Sequence, residues 1–500
     1  MKVAVAGVAD PGPLFLYIIG NGARGYRAAQ TSGCNPNCRG ARAPSRALRG
    51  ASPRSRADQM SNGLLAEMFG VRTRPQSPDV PPIDSGALLP QTHCMHLDGR
   101  RLCAGAFVAG LTMLAPIAAY AEPAPRWPQY GFNARHTMFD PVEDTLNRSN
   151  VATLSLQWEF MTGNSAGIAP LSGPALADGV LYVASQAQTT FTALDAATGA
   201  TRWIYTGIST FSDPAVEASH VYTASLDGNL YAFPTNCVGT CTPTWAVPVG
   251  TLGTNSPPTI SHGSIYIGGY DGRVYAFDAT TGAQLWSAKV NPANVADPLN
   301  FAPAVSANRV FVSGDFGVYA FPGSCATPCA PLWVAKTQFS PAAAPTVAGG
   351  SVLVADYQGT VYAIDAATGI LQWKGTVTAI PHAIAVAHGV AYVTSGRGEL
   401  VAFAAAGCGE AVCNPLWTSA PSGLTLFTPT IANGVVYVGA LDFIYTQGDV
   451  VAYPTTCSDG CEPLATLVLG GANETPVAVA GGRIYATTVN GNIDSLGLAQ

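Results

Sequence analysis

Charge is what this sequence has least of: Asp, Glu, Lys and Arg make up 11% of its 500 residues, against 48% hydrophobic ones. Such a composition excludes a coiled coil, long solvent-exposed helices and an acidic disordered chain, all of which need more charge for their apolar content. The little charge present is unevenly split. Residues 1–121 hold 13 Lys and Arg against 6 Asp and Glu, whereas residues 122–500 hold 11 against 24. An acidic main body excludes nucleic acid as a partner, because that binding rests on neutralising phosphates. What the chain has in quantity is turn formers, 54 Gly and 38 Pro, and a turn-rich, mostly β protein is expected.

Residues 1–94 are rich in Arg, Ala, Gly, Ser and Pro and show neither helical nor strand periodicity, so no fold is expected there. From Met95 the pattern changes. Arg100 and Arg101 form a basic n-region, Leu102 to Ala119 is apolar, and Ala119-Tyr120-Ala121 is a small-x-small cleavage site before Glu122. This is the layout of a signal peptide over 95–121, and an extension in front of it would hinder export. Translation is therefore expected to begin at Met95. A membrane anchor is the alternative, since 18 apolar residues nearly span a bilayer, but Pro116 and the cleavage site count against it. The mature chain is expected to be exported, periplasmic or secreted, with a lead-in arm over 122–150, a body over 151–500 and no membrane span.

An Ala-aromatic or Ala-aliphatic pair recurs at Ala193, Ala232, Ala276, Ala320, Ala363, Ala402 and Ala452, with a degenerate copy at Ser495-Leu496; the spacings are 39, 44, 44, 43, 39, 50 and 43. A second marker, Trp, keeps the same period at Trp158, Trp203, Trp245, Trp286, Trp333, Trp373 and Trp417. Each unit reads as four short strands separated by turn signals such as Asp227-Gly228, Asp271-Gly272 and Asn490-Gly491, where a tight hairpin needs positive φ. Four antiparallel strands in about 43 residues predict a propeller blade. The chain starts on a fourth strand at Trp158 and stops after a third at Ile493 to Leu496, so the two ends joined make an eighth blade. The expected fold is all-β, an eight-bladed propeller closed by an N-terminal strand, which leaves no free sheet edge between first and last blades.

Three blades carry Ala-x-Asp-x-x-Thr-Gly-x-x-x-Trp: Ala193, Asp195, Thr198, Gly199, Trp203; Ala276, Asp278, Thr281, Gly282, Trp286; and Ala363, Asp365, Thr368, Gly369, Trp373. With the lead-in Trp127-Pro128-Gln129-Tyr130-Gly131, this resembles the tryptophan-docking repeat of the PQQ-like β-propeller superfamily, which contains quinone-dependent alcohol dehydrogenases and non-enzymatic propellers such as an outer-membrane assembly factor. The motif speaks for the fold and little for function. Gly can turn the chain between third and fourth strands, Asp and Thr can bond turn amides, and the indole can fill the gap between blades while its N–H finds an acceptor. These residues are read as structural.

Eight cysteines fall in close pairs, Cys237/Cys241, Cys325/Cys329, Cys408/Cys413 and Cys457/Cys461, each in a blade that lacks the Asp-x-x-Thr-Gly turn. In an exported chain such pairs predict disulfides that staple hairpins. Zinc is the alternative, but no His accompanies the pairs.

Quinone-dependent dehydrogenases hold PQQ over the channel with calcium, a catalytic Asp and usually two adjacent cysteines. No two cysteines are adjacent here, and no Cys-x-x-Cys-His is present for a covalent haem. The segments entering the innermost strands surround one mouth of the channel, and they bring Asp213, Asn255, Asn300, Phe301, His382, Phe427 and Glu474 to it as candidate ligand contacts. The plainer reading is that Asp, Asn and Ser there cap turns before Pro. His220, His262 and His388 are assigned to outer, solvent-facing turns. The expectation is an exported binding or scaffold module without catalytic residues, metal or firm cofactor, its protein or small-molecule partner unidentified. The alternatives are a PQQ- and calcium-dependent alcohol dehydrogenase and a binder of an extracellular polymer.

Overall fold

The computed structural model describes residues 124–162, 171–210, 212–291, 298–326, 328–442 and 448–499. The expected extension over 1–94 and the signal peptide over 95–121 lie outside them. Thirty-two strands form eight antiparallel four-stranded sheets, and a further two-residue strand joins one of them as a fifth member. No described helix is long and apolar enough to cross a membrane.

The innermost strands are Ala175–Ala177, Ala215–Glu217, Thr259–Ser261, Ala304–Ser306, Thr346–Ala348, Pro381–Ala387, Thr425–Ala432 and Ala478–Ala480, and they define blades one to eight in that order. The closing blade is built as the two markers predict. Ser155–Met161 pairs antiparallel with the C-terminal Asn492–Gly497, placing Trp158 opposite Ser495. Eight clusters of buried side chains fill the gaps between neighbouring blades, including one that joins Tyr485 and Ile493 of the eighth blade to Leu181 and Val183 of the first. The wheel is therefore closed.

Each docking residue has the physical role its type suggests. Gly199, Gly282 and Gly369 stand at φ near +72°, +72° and +75°, a region that strains any Cβ. A Cβ there would also lie 2.7 to 2.9 Å from the indoles of Trp158, Trp245 and Trp333 of the preceding blades. Asp195, Asp278 and Asp365 accept from both the amide and the hydroxyl of the Thr three residues on. Five indole N–H groups donate to a carbonyl of the next blade, at 3.0 to 3.3 Å, from Trp158, Trp245, Trp286, Trp333 and Trp373. Trp203 departs from this: its buried N–H has no acceptor among the described residues. A facing cystine blade does not by itself account for this, since Trp286 and Trp373 also face such blades and find acceptors at Gly323 O and Ala405 O.

All four cysteine pairs are bonded as expected, Cys237 to Cys241, Cys325 to Cys329, Cys408 to Cys413 and Cys457 to Cys461, with Cα atoms 5.6 to 6.1 Å apart. The pairs staple their hairpins as expected, and three of the loops also reach back to the outermost strand of the preceding blade. Gly239 donates to Arg202 O, Cys413 to Lys374 O and Gly460 to Thr418 O, each closing a parallel bridge. Cys461 departs furthest from a simple staple. It is itself the residue that bridges Ser419 in parallel, and its carbonyl accepts from the Ala420 N–H at 2.9 Å, so it ties blade seven to blade six as well as closing its own loop. The reason is that a short outermost strand, Trp417–Thr418 in blade six, leaves backbone groups just beyond its end that need partners. A cystine loop thus covers a sheet edge that would otherwise offer unpaired backbone to another chain.

Positive φ at both central hairpin residues occurs between the first and second strands, at Asp178-Gly179, His262-Gly263, His388-Gly389 and Asn433-Gly434; in the Asp227-Gly228 and Asp271-Gly272 turns only the glycine has it. His262 and His388 are accordingly exposed at the inner hairpins, not at outer turns, while His220 opens a second strand and is half-buried. The hand of the twist explains the difference, since a two-residue loop must have mirror-image turn geometry.

Trp158→Ala should be costly for its position on a terminal strand, because it removes a ring packed on Gly199 and the N–H bond to Ala196. A loss of about 3 kcal/mol, read as a lower urea midpoint with unchanged β-sheet circular dichroism after refolding, is expected.

Candidate functional site

The lead-in arm decides what kind of channel the wheel has. Each innermost strand turns one edge to the axis, where there is no room for a further full strand on every blade, and a buried N–H left there is expensive. The arm crosses this end of the wheel and meets the blades in order. Trp127 exchanges both backbone bonds with Leu176 at 2.8 Å, Pro128 O accepts from Val216 at 2.7 Å, and the Gln129 side chain accepts from Ile260 at 2.8 Å. Ala134, Arg135, Thr137 and Met138 then accept from Val305, Val347, Val386 and Ile431 at 2.6 to 2.9 Å. Phe139–Asp140 adds a parallel fifth strand to the seventh blade, and the Glu143 carboxylate accepts from Gly482 of the eighth. His136, fully buried, bonds Pro345 O through Nδ1 and Thr259 Oγ1 through Nε2, so it ties the fifth blade to the third. Burial lowers its pKa to about 4 and keeps it neutral.

The arm bonds near the hairpins that join first and second strands, so the opposite end of the wheel is the mouth formed by the segments entering the innermost strands. Hydrogen bonds at this end join neighbouring blades across seven of the eight gaps. Thr487 donates to Ser172 O at 2.9 Å, Gly173 N–H donates to Asp213 Oδ1 at 2.6 Å, and Ser212 donates to Ser256 O at 3.1 Å. Ser256 in turn donates to Phe301 O, Ser313 to Ala343 O, Thr346 to Ile384 O and Thr430 to Val477 O. Hydroxyls answer carbonyls here because short polar side chains can satisfy backbone groups that no strand reaches.

Within this belt the seven expected residues take different places. Asp213 and Asn255 are 7% exposed. Phe301, His382 and Phe427 are half-buried, while Asn300 and Glu474 stand exposed at the rim of the mouth. His382 packs its ring 4.6 Å from that of Phe427, and Phe427 packs on Leu441, Ala472 and Val489. These contacts bring His382 and Phe427 together on blades six and seven, on the far side of the wheel from Asp213 on blade two. Asn255 takes a hydrogen bond from Thr210 at 3.3 Å and so belongs to the Asp213 side.

Burial sets the protonation states. It raises the Asp213 carboxyl to about 7, offset in part by the Gly173 amide. Burial lowers His382 to about 4, so its ring is neutral. Crowding by surrounding protein raises Glu474 as well. Tyr130, on the arm, feels both burial and the Asp213 charge, which raise its pKa and place the phenol within the field of that carboxylate. Tyr130 and the Ser and Thr belt are absent from the residues expected at the mouth. The Trp-Pro-Gln-Tyr-Gly lead-in was a visible signal for the arm, but its path across the channel is a tertiary fact. A separate open groove of about 490 Å³ lies at the rim between the outermost strand of blade three and Pro328-Cys329. It holds none of the residues above.

A family profile described as outer membrane protein assembly factor BamB matches residues 143–374 and 359–460. No curated protein sequence matches the chain. Among solved structures, BamB from Moraxella catarrhalis is 19% identical at a TM-score of 0.53, covering 69% of this chain and 98% of its own. The quinohemoprotein alcohol dehydrogenase from Comamonas testosteroni is 15% identical at a TM-score of 0.60, covering 76% and 81%. A computationally designed protein, Ika8, is 13% identical at 0.55, covering 67% and 98%. Likeness at such identities speaks for the wheel alone, but the profile spans well over half of the sequence, and the chain belongs to the outer membrane protein assembly factor BamB family of β-propellers.

Proposed function

We propose that this protein is an exported, non-catalytic binding or scaffold module that takes its ligand or partner at the mouth opposite the arm. The observation that carries this reading is the chemistry of the connections that lead into the innermost strands. Residues 162–174, 207–214, 249–258, 290–303, 337–345, 377–380, 419–424 and 470–477 contain no lysine or arginine, and their charged residues are Asp213, Asp297 and Glu474. The rival reading is a quinoprotein dehydrogenase, favoured by the structural likeness to the Comamonas enzyme. PQQ carries three carboxylates beside its quinone, and an anion of that kind needs cationic partners once it is desolvated. The mouth does not suit it. Calcium wants six to eight oxygens, and among the described residues no three His, Cys, Asp or Glu come together as a metal-holding group.

Four disulfides suit an oxidising compartment, in keeping with export. Protein mixed with PQQ and calcium should show no dye-linked oxidation of alcohols and should keep no quinone absorbance through gel filtration. Turnover with retained quinone would overturn the reading in favour of the dehydrogenase.

A binding role also explains why a carboxylate is kept where it costs stability. The folded state raises Asp213 to about 7, above the value near 4 of an unfolded chain. The fold therefore retains a proton that the unfolded chain gives up, so stability falls as pH rises from about 4 to about 7 and stays reduced above. Asp213→Asn keeps an oxygen for the Gly173 amide and removes the titration. Its melting temperature should exceed that of the wild type by about 3 °C or more near pH 8, with little difference near pH 4.

A further inference from the structure

The mouth lies at the end of the wheel opposite the arm, the connections that enter its innermost strands carry acidic residues and no lysine or arginine, and its two sides differ in chemistry. On the side of blades two and three, Asp213 and Asn255 are each 7% exposed. Asp213 Oδ1 takes the Gly173 N–H and Asn255 Oδ1 takes the Thr210 hydroxyl. Asp213 Oδ2 and Asn255 Nδ2 have no hydrogen-bond partner among the described residues. The position of the carboxyl is built: a Cβ on Gly173 would lie 2.7 Å from Oδ2, so only glycine lets the backbone come up against it. Across the wheel, the rings of His382 and Phe427 form a tilted pair with centroids 4.6 Å apart. Arg273, Lys289, Lys336 and Arg397 of this face sit further out, at the starts of third strands or the hairpins before them and at the ends of outermost strands.

A buried carboxylate with a free oxygen, no lysine or arginine in the segments that enter the innermost strands, and an aromatic pair opposite favour one class of ligand. Carboxylate and aromatic faces both attract a cation, more strongly where water is excluded, and both repel an anion. Resting on the reading of the mouth as a non-catalytic binding site, we propose that it takes an elongated organic cation, a primary or quaternary amine. The ammonium sits against Asp213 and the apolar body reaches across to the His382 and Phe427 pair.

The test uses the full chain and three probes of one shape: phenylbutylamine, phenylbutanol and phenylbutyrate, titrated calorimetrically near neutral pH. The amine should bind, the alcohol at least about tenfold more weakly, and the carboxylate not at all up to about 10 mM. Asp213→Asn should weaken the amine at least about tenfold and leave the alcohol unchanged, while Phe427→Ala should weaken both. Glu474→Gln, at the exposed rim, serves as a second charge variant and should weaken the amine by a smaller factor. Equal affinity for amine and alcohol, an amine affinity indifferent to Asp213→Asn, or no amine binding at about 10 mM would overturn the proposal. So would calcium chloride alone saturating the site and excluding the amine. A chain that binds no amine and no PQQ refutes the cation site only, whereas PQQ binding with alcohol turnover refutes the non-catalytic reading beneath it.

Discussion

The rest of the structure depends on what happens to the axial edges of the eight innermost strands. A wheel of sheets must leave these edges facing a channel too narrow for another strand per blade, and their amides cannot all go unbonded in a protein interior. One segment of the chain answers seven of the eight and reaches the hairpin beside the last. Between Trp127 and Glu143 the arm accepts a hydrogen bond from every blade in turn, seven of them from the equivalent residue of the innermost strand. The path is tight enough that Gly131, Phe132, His136 and Met138 stand at φ between 53° and 71°, a region non-glycine residues rarely occupy. Such strain persists only where surrounding contacts over-determine it, and the buried His136 bonding two blades at once is one such contact. Immediately afterwards the chain runs into Ser155–Met161 and completes the eighth sheet. The same stretch therefore crosses the channel and closes the wheel.

Around the outside, two devices solve one packing problem. The gap between third and fourth strands must present a carbonyl and a flat surface to the indole of the preceding blade. An Asp-x-x-Thr-Gly turn does this with hydrogen bonds and a glycine that makes room for the ring. A cystine loop does it with a covalent staple and, in three cases, extends the preceding sheet by a backbone bridge, through Cys461 itself in the seventh blade. The exchange is imperfect at Trp203, whose N–H is orphaned opposite the loop at Cys237 and Cys241. Edge covering does not require that loss, since the loop at Cys408 and Cys413 covers the edge at Lys374 while Trp373 keeps its acceptor.

Much of this was legible in the amino-acid sequence because propeller blades are local. The Trp and Ala markers fixed the period, and the lone strand at Trp158 together with the truncated tail at Leu496 foretold the closing pair. Cysteine spacing foretold the staples but not the reach of their loops to the blade before, since a bridge such as Ser419 to Cys461 joins residues whose types carry no pairing signal. The mouth was legible only in part. That the segments before each innermost strand share one end of the wheel follows from topology, but nothing in residue type separates Asp213, buried on Gly173, from Glu474, exposed at the rim. Burial there depends on a glycine forty residues away. The arm was the least legible element, since Trp-Pro-Gln-Tyr-Gly names a segment without a path. A peptide with so little periodicity takes its shape from eight partners spread over the whole chain.

The most direct measurement of this dependence is hydrogen exchange of the seven axial amides, those of Leu176, Val216, Ile260, Val305, Val347, Val386 and Ile431, in the intact native protein. A docked arm predicts that they exchange as slowly as the amides of the second and third strands of the same blades, opening only with the wheel as a whole. Exchange at the rate of exposed edge amides, with the second and third strands still protected, would show that the arm does not hold the axis and would contradict the central constraint.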